Sequence, residues 1–182
     1  GSAVTITKTY KNGWALIKSG SFRGYIKKEY LAVVYGKTQE SGTIDIPIYR
    51  PDPMKTLRKA GEHGDRAVTH YEKIKGNDTY SFLKIRLETG RTHQIRVHFS
   101  HLGMPLEGAS LYGSDEHGIG HQLLHCAKAE LKHPVTGEKM LFEAPVPPDM
   151  QKYSDPTDNI TVCCAENLIA ECDFVACEIK RL

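Results

Sequence analysis

Ten consecutive residues, 89–98, bring together two arginines, two histidines, a glutamine and two hydroxyl groups. An alternating apolar pattern over 80–87 predicts a strand just before them, and Gly90 interrupts that pattern. Thr92 can cap a following helix, which places Arg91 and Thr92 at a helix N-terminus, where backbone N–H groups attract phosphate. Two arginines near a helix start are also common on a solvated face, so this pattern alone leaves both interpretations open.

The helix itself is predicted over 93–102. Ile95, Phe99 and Leu102 follow the i, i+4, i+7 spacing of an apolar stripe, and Gly103 and Pro105 end the pattern. Arg96 lies about one turn into this helix, beside the stripe rather than on it.

The other elements must hold this junction in place. Antiparallel hairpins with interspersed helices indicate an α+β fold around a mixed sheet. The pattern predicts strands over 3–9 and 28–35, a short helix over 12–24, an irregular arm over 42–66, hairpins over 67–75 with 79–88 and over 123–131 with 139–144, and a glycine-rich loop over 104–122.

The ten-residue segment closely resembles motif III of the RluA-type pseudouridine synthases, T-G-R-[ST]-H-Q-[IL]-R-V-H. Residues 27–34 resemble the family's motif II, K-[KR]-x-Y-L-A-[LIV]-[VLI]. Weaker matches follow in the family's order at 42–48, 66–71, 106–113, 124–127, 133–138 and 142–150, so the similarity runs through roughly residues 3–150.

The resemblance implies the pseudouridine synthase fold, a mixed and mostly antiparallel sheet with flanking helices and an RNA-binding cleft. It also implies isomerisation of uridine to pseudouridine in rRNA or tRNA, with RNA as the partner. This chemistry flips the base out, cleaves the glycosidic bond beside a carboxylate, and reattaches uracil through C5. It uses neither a metal nor a cofactor, and we expect none here.

By the same resemblance, Arg96 pairs with the catalytic aspartate of motif I, which a guanidinium can hold in a bidentate pose. Tyr30 of motif II lies against the flipped base, by stacking or as the acceptor of the C5 proton. The expected RNA contacts are Lys27, Lys28, Arg91, Thr92, His93 and Gln94.

Two positions depart from the family's pattern. Ala109 stands where the family has an aspartate, whose role is expected to be local structure. Motif I, R-L-D-x-x-T-S-G, does not occur, although residues 3–9 resemble the strand that follows it. One hypothesis is therefore an enzyme whose catalytic segment lies outside this sequence, so that the chain alone is inactive. The alternative is a catalytically inactive RNA-binding module of the same fold.

Charge divides the chain into a body and a tail. Residues 1–150 contain 21 basic and 16 acidic residues, a net +5, whereas residues 151–182 contain 3 and 6, a net −3. The first range is the predicted catalytic domain lacking its N-terminal part, and the second is an acidic, cysteine-containing C-terminal extension. A basic body is compatible with nucleic acid. The sequence does not define the oligomeric state.

Neither the cysteines nor the histidines form a metal-binding pattern. Zinc spacing is absent from the five cysteines, and we expect those at 164 and 172 to be small buried residues, with a metal or redox role as a weak alternative. Glycines between His117, His121 and His125 disfavour a helical metal site. No segment is typical of a signal peptide or a membrane span, which favours the cytoplasm.

Overall fold

The computed structural model of the chain describes residues 5–10, 14–19, 22–113, 118–133 and 136–154. Ten strands and two helices occur in these residues. They are β1 (Thr5–Thr9), β2 (Trp14–Ser19), β3 (Phe22–Tyr35), β4 (Ser41–Asp45), β5 (Ile48–Tyr49), β6 (Lys59–Ala60), β7 (Val68–Gly76), β8 (Tyr80–Leu87), α1 (Gln94–His101), β9 (Leu124–Lys132), β10 (Lys139–Glu143) and α2 (Pro148–Gln151).

Eight strands form one sheet in the order β1-β2-β3-β8-β7-β4, with β9 on the other edge of β3 and β10 beyond it. Strands β5 and β6 form a separate small ribbon. Every strand pairing in the described residues is antiparallel. The predicted α+β class, with a mostly antiparallel sheet, is confirmed.

Strand β3 is the centre of the sheet because it pairs with three neighbours. Its first half pairs with β2 up to Lys27, and its second half pairs with β8 from Glu29 onward. Strand β9 pairs with residues 26–32, which overlap both ranges. Strands β2 and β8 therefore lie end to end along the same edge of β3, and their junction falls at Lys28.

Helix α1 covers one face of the sheet. Ile95 and Phe99 pack against β3 and β8, and the Phe99 ring meets Tyr71 edge to face at 5.5 Å between centroids. Leu102 is 41% exposed, so only two of the three residues in the predicted apolar stripe are buried. The buried members of this cluster are Ala32, Val34, Ile44, Leu83, Ile85, Ile95, Phe99, Leu106 and Ala109.

The opposite face of the sheet has its own core. Its buried members are Val33, Phe82, Leu123 and Met150. Phe82 is therefore buried on this face, although Leu83 and Ile85 of the same strand pack on the face that α1 covers. Tyr153 packs its ring edge against Tyr80 at 4.8 Å. The first residues of the predicted C-terminal extension therefore contact the body, whereas residues 155–182, including four of the cysteines, lie outside the described residues.

The helix predicted over 12–24 is wrong, because residues 14–19 form strand β2 and the chain returns as β3. Trp14, Ala15, Leu16 and Ile17 are all apolar, and such a continuous run does not distinguish a strand from a helix by its periodicity. Pairing with the long strand β3 decides the outcome.

The remaining elements follow the prediction with shifted ends. Both hairpins occur, as β7 with β8 and as β9 with β10, and the strand predicted over 28–35 begins earlier, at Phe22. The arm is less irregular than predicted, since it contains β4, β5 and β6. No helix of the described residues is long and apolar enough to cross a membrane.

We expect Phe99→Ala to lower the free energy of unfolding by roughly 3–5 kcal/mol, because the side chain is fully buried and a cavity would remain. Leu102→Ala, on the exposed end of the same helix region, should cost under about 1 kcal/mol. Urea unfolding measures both, and equal losses would contradict the described packing of α1.

Candidate functional site

The start of α1 differs from the predicted cap. Helix α1 begins at Gln94, and its N-cap is His93 in the left-handed conformation, at φ 57° and ψ 20°, with no side-chain cap bond. The prediction of Thr92 as the cap is therefore wrong, and Thr92 is exposed. The Gln94 side chain instead reaches back, and its Oε1 accepts the Arg91 backbone N–H at 2.9 Å.

Gln94 is buried, and its amide is fully used inside the protein. Its Oε1 also accepts the Thr89 hydroxyl at 2.8 Å. Its Nε2 donates to the Val68 carbonyl at 2.9 Å and to Thr69 Oγ1 at 3.0 Å. With 2% exposure and no donor or acceptor left over, Gln94 positions the segment. The predicted RNA contact of its side chain does not fit this geometry.

The buried polar chain continues through His98. The Thr69 hydroxyl, which accepts from Gln94, lies 2.9 Å from His98 Nδ1, and His98 Nε2 lies 2.9 Å from the Ile46 carbonyl. Because a carbonyl only accepts, Nε2 carries the proton and Nδ1 accepts from Thr69. Burial lowers the pKa of His98, with a smaller effect of His101, while the Ile46 bond and Asp45 oppose the shift. His98 is neutral and structural.

Arg96 has a buried nitrogen without a polar partner in the part of the chain that the structure describes. This atom is Nε, and no hydrogen-bond acceptor lies within reach of it there. Its guanidinium carbon lies 4.9 Å from the centroid of the Tyr112 ring, a cation–π arrangement. Burial lowers the pKa of Arg96, and Tyr112 opposes that shift, but an arginine stays cationic in proteins. A fixed, partly desolvated cation of this kind is a site for a carboxylate or a phosphate.

Tyr112 connects this cation to the arm. Its hydroxyl accepts the Arg58 backbone N–H at 2.9 Å and lies 2.7 Å from His93 Nδ1, at hydrogen-bond distance. Burial, followed by the charges of Arg96 and Arg58, lowers the pKa of His93, which fits a neutral ring. Sequence reasoning missed Tyr112, although the tyrosine of the segment at 106–113 was a signal for it.

Ala109 lies in the same loop as Tyr112. It is fully buried in the core cluster under α1. Its carbonyl accepts the N–H groups of Tyr112 at 2.9 Å and of Gly113 at 2.8 Å. A turn thus holds this part of the loop with alanine at the position.

Tyr30 lies on the sheet face that α1 covers. It packs against the same core cluster as Ile95, and on β3 it is opposite Ile85 of β8 and Cys126 of β9. The β9 register shifts between Glu29 and Tyr30. Such bulges are common beside active sites, where they redirect a side chain. The structure thus brings Tyr30 and α1 to one face.

The two predicted lysines precede Tyr30 on β3. Lys27 is half-buried and Lys28 is exposed, at the junction of β2 and β8. Arg91 is also exposed, but it is anchored, because its Nε donates to the Arg66 carbonyl at 3.0 Å and its Nη1 lies 3.4 Å from Asp65. Among the described residues, no group of three or more His, Cys, Asp or Glu is placed to hold a metal ion.

Comparison with known proteins identifies the family to which this chain belongs. A family model described as RNA pseudouridylate synthase matches residues 4–101, more than half of the chain. The chain therefore belongs to the RNA pseudouridylate synthase family, and its relatives are those of the RluA type.

Curated relatives agree with the family. An uncharacterized RNA pseudouridine synthase, YjbO of Bacillus subtilis, is 41% identical over 152 residues, which cover 83% of this chain and 54% of that protein. A ribosomal large subunit pseudouridine synthase D of Vibrio parahaemolyticus is 37% identical over 161 residues, which cover 81% of this chain and 49% of that protein. The chain spans about half the length of these relatives.

Solved structures show the same fold. Human RNA pseudouridylate synthase domain containing 1 is similar at a TM-score of 0.56 and 26% identity, over 66% of this chain and 54% of that one. Human RNA pseudouridylate synthase domain containing 4 has a TM-score of 0.53 at 20% identity, over 69% of this chain and 60% of that one, a likeness of fold alone.

We expect His98→Asn to lower the free energy of unfolding at pH 7.5 by about 1–3 kcal/mol, because it breaks a satisfied buried chain. The folded-state pKa of His98 lies below its usual value near 6.5, so its contribution is complete above that pH and declines as the pH falls through it. The difference in the free energy of unfolding between the wild type and His98→Asn should therefore become smaller toward pH 5.5. Urea unfolding at both pH values measures this, and His101→Asn, at an exposed position on α1, should unfold as the wild type does.

We expect Tyr112→Phe to keep the ring beneath Arg96 but to release the Arg58 N–H and His93, lowering stability by roughly 1 kcal/mol. Amide hydrogen exchange should accelerate at Arg58 and its neighbours in the arm. Tyr49→Phe, which also removes a hydroxyl from the arm region, is the control. Unchanged exchange at Arg58 in Tyr112→Phe would show that this bond does not hold the arm.

Proposed function

We propose that this protein isomerises uridine to pseudouridine in RNA, with the cleft beside α1 as its active site. The observation that carries the proposal is the buried Nε of Arg96, which lies in the family's motif III and has no acceptor among the described residues. Leaving a buried charged donor unsatisfied costs about 1–3 kcal/mol or more, which a ligand or a partner carboxylate would recover. Because the chain spans about half of its relatives' length, the complete activity stays a proposal.

The reaction assigns Arg96 an electrostatic role. A carboxylate beside C1′ of the flipped nucleotide must be ionised to act on the glycosidic bond. A guanidinium within hydrogen-bond distance keeps the pKa of that carboxylate low and fixes its direction. We propose that a motif I aspartate, which this sequence does not contain, binds the free face of Arg96. Tyr112 below the guanidinium would keep it in place.

Tyr30 is the proposed contact to the target base. Its place on the α1-covered face of β3 supports a position against the uracil ring, by stacking or as acceptor of the C5 proton. Lys27, Lys28, Arg91 and Thr92 would contact the backbone, and His93 a base edge or phosphate. Gln94 would act indirectly, by holding the neighbouring contact residues in position.

Ribosomal RNA is the substrate that we favour over tRNA. Several relatives at 34–40% identity bear the name ribosomal large subunit pseudouridine synthase D. A cytoplasmic location stays a prediction. An inactive RNA-binding module is less consistent with Arg96, because a surface that only binds phosphates has no need of a buried guanidinium nitrogen that finds no acceptor in the described part of the chain.

In a chain extended by a segment that contains R-L-D-x-x-T-S-G, we expect Arg96→Ala to lower the single-turnover rate at least about 10²-fold, the scale of losing one preorganised electrostatic partner. Arg96→Lys should restore part of the rate, because lysine keeps the charge but not the bidentate geometry. Tritium release from RNA labelled at C5 of uridine measures the rate. The 182-residue chain without that segment should release none.

Saturating RNA in each reaction separates catalysis from binding. An active extended protein whose Arg96→Ala variant reacts at the wild-type rate would remove Arg96 from the mechanism. An extended protein that binds RNA but releases no tritium would instead favour the inactive module.

A further inference from the structure

A basic pocket lies beside motif III, on the side of the arm. It has a volume of about 510 Å³ and is partly open to solvent. Three arginines and one aspartate line it, so with histidine neutral its fixed charge is +2. The lining residues are Ile48, Tyr49, Arg50, Arg58, His63, Gly64, Asp65, Gly90, Arg91 and Thr92. Most of this surface comes from the arm, to which sequence reasoning assigned no ligand.

Backbone carbonyls hold the arginines of the pocket. Arg50 Nε donates to the Lys55 carbonyl at 2.8 Å, and Arg58 Nη1 donates to the carbonyls of Thr56 at 2.7 Å and Leu57 at 3.1 Å. Within the described part of the chain, no carboxylate lies at salt-bridge distance from Arg50 or Arg58. Each guanidinium is therefore oriented by neutral acceptors, and its charge and remaining donors are available to an anion.

The arm is fixed relative to the catalytic side of motif III. Ile48 and Asp65 exchange two backbone hydrogen bonds of 2.9 Å, which close the base of the arm. Gly64 packs so closely there that a Cβ would lie 2.4 Å from the Ile48 carbonyl carbon. The Arg58 N–H binds Tyr112, whose ring lies under Arg96. The pocket and Arg96 are thus separated by a single shared side chain.

We propose that this pocket binds a phosphodiester of the RNA strand that carries the target uridine, adjacent to the flipped nucleotide. The assignment rests on the proposed function and extends it to the arm. Guanidinium groups suit phosphate oxygens because their paired N–H donors match the geometry. Because the pocket is partly open to solvent, a phosphodiester of a continuous strand can reach its arginines. The closeness to Arg96 makes this contact one that sets the register of the strand in the cleft.

Salt dependence of RNA binding tests the proposal. A fluorescent RNA stem-loop is titrated with the 182-residue chain at several salt concentrations, and the logarithm of affinity is plotted against the logarithm of salt. Each lost phosphate contact lowers the slope by about 0.7–0.9. Because one phosphodiester carries one charge, we expect this full change for the Arg50→Gln/Arg58→Gln double variant and part of it for each single variant. Arg58→Lys keeps the charge and should retain a slope close to that of the wild type.

Arg86→Gln is the matched control. Arg86 is exposed on β8, and it alternates with Ile85 and Leu87, which face α1, so it lies on the opposite face of the sheet. The control removes the same charge and should leave the slope unchanged. An equal decrease for Arg86→Gln would mean that only net charge matters, and a lowered slope in Arg58→Lys would mean that the arm has changed its structure. Either result overturns the pocket assignment.

The remaining outcomes separate the two proposals. If the wild-type protein binds the stem-loop and the arginine variants show the wild-type slope, the pocket assignment is wrong but the proposed function still holds. Wild-type protein with no affinity for the RNA overturns both. Inorganic phosphate is a further probe, and we expect it to compete only at millimolar concentrations. Competition at the concentration where RNA itself binds would assign the pocket to a free anion instead.

Discussion

One buried polar chain determines how the functional segment meets the sheet. It runs from the Thr89 hydroxyl through the Gln94 amide and Thr69 to His98, and it ends at the Ile46 carbonyl. Every donor in it has one acceptor, which permits only one tautomer of His98 and one orientation of Gln94. Because an unsatisfied buried polar group is costly, a shift of α1 against β7 would break several bonds at once. The chain therefore specifies the position of the helix more sharply than apolar packing alone can.

This constraint divides the segment into two sets of side chains. Gln94 and His98 are buried, and their polar atoms bond within the protein. Arg91 and Thr92 are exposed, and Arg96 is intermediate in exposure. Arg96 packs on Tyr112, and Tyr112 also takes the Arg58 N–H, so the cation and the arm share one support. The polar residues of the segment thus have different physical tasks despite their similar chemistry.

The sequence predicted most of the fold but only part of the site. Both hairpins and α1 were predicted, since their alternation and helical spacing are local properties, and the motif resemblance named Arg96 and Tyr30 as candidates, which stay predictions. The strand β2 was missed because four consecutive apolar residues have no period, and pairing with β3 decides their structure. The cap at Thr92 was wrong because Gln94 takes the Arg91 N–H from inside the helix. Tyr112 and the arm pocket depend on contacts between residues far apart in the chain, such as 58 with 112, which no local pattern contains.

The charge of Arg96 determines that this site attracts an anion. A guanidinium that is partly desolvated attracts an anion more strongly than one in water, because less screening opposes the interaction. The neighbours of the Arg96 guanidinium include the Tyr112 ring on one side and the neutral His93 nearby. Neither of them neutralises its charge. Arg50 and Arg58, which are held by backbone carbonyls, extend this charge along the arm, whereas Arg91 lies 3.4 Å from Asp65. Under the proposed function a motif I carboxylate pairs with Arg96, so the charge of Arg50 and Arg58 in the pocket is left for the phosphates of the RNA strand that runs past this pair.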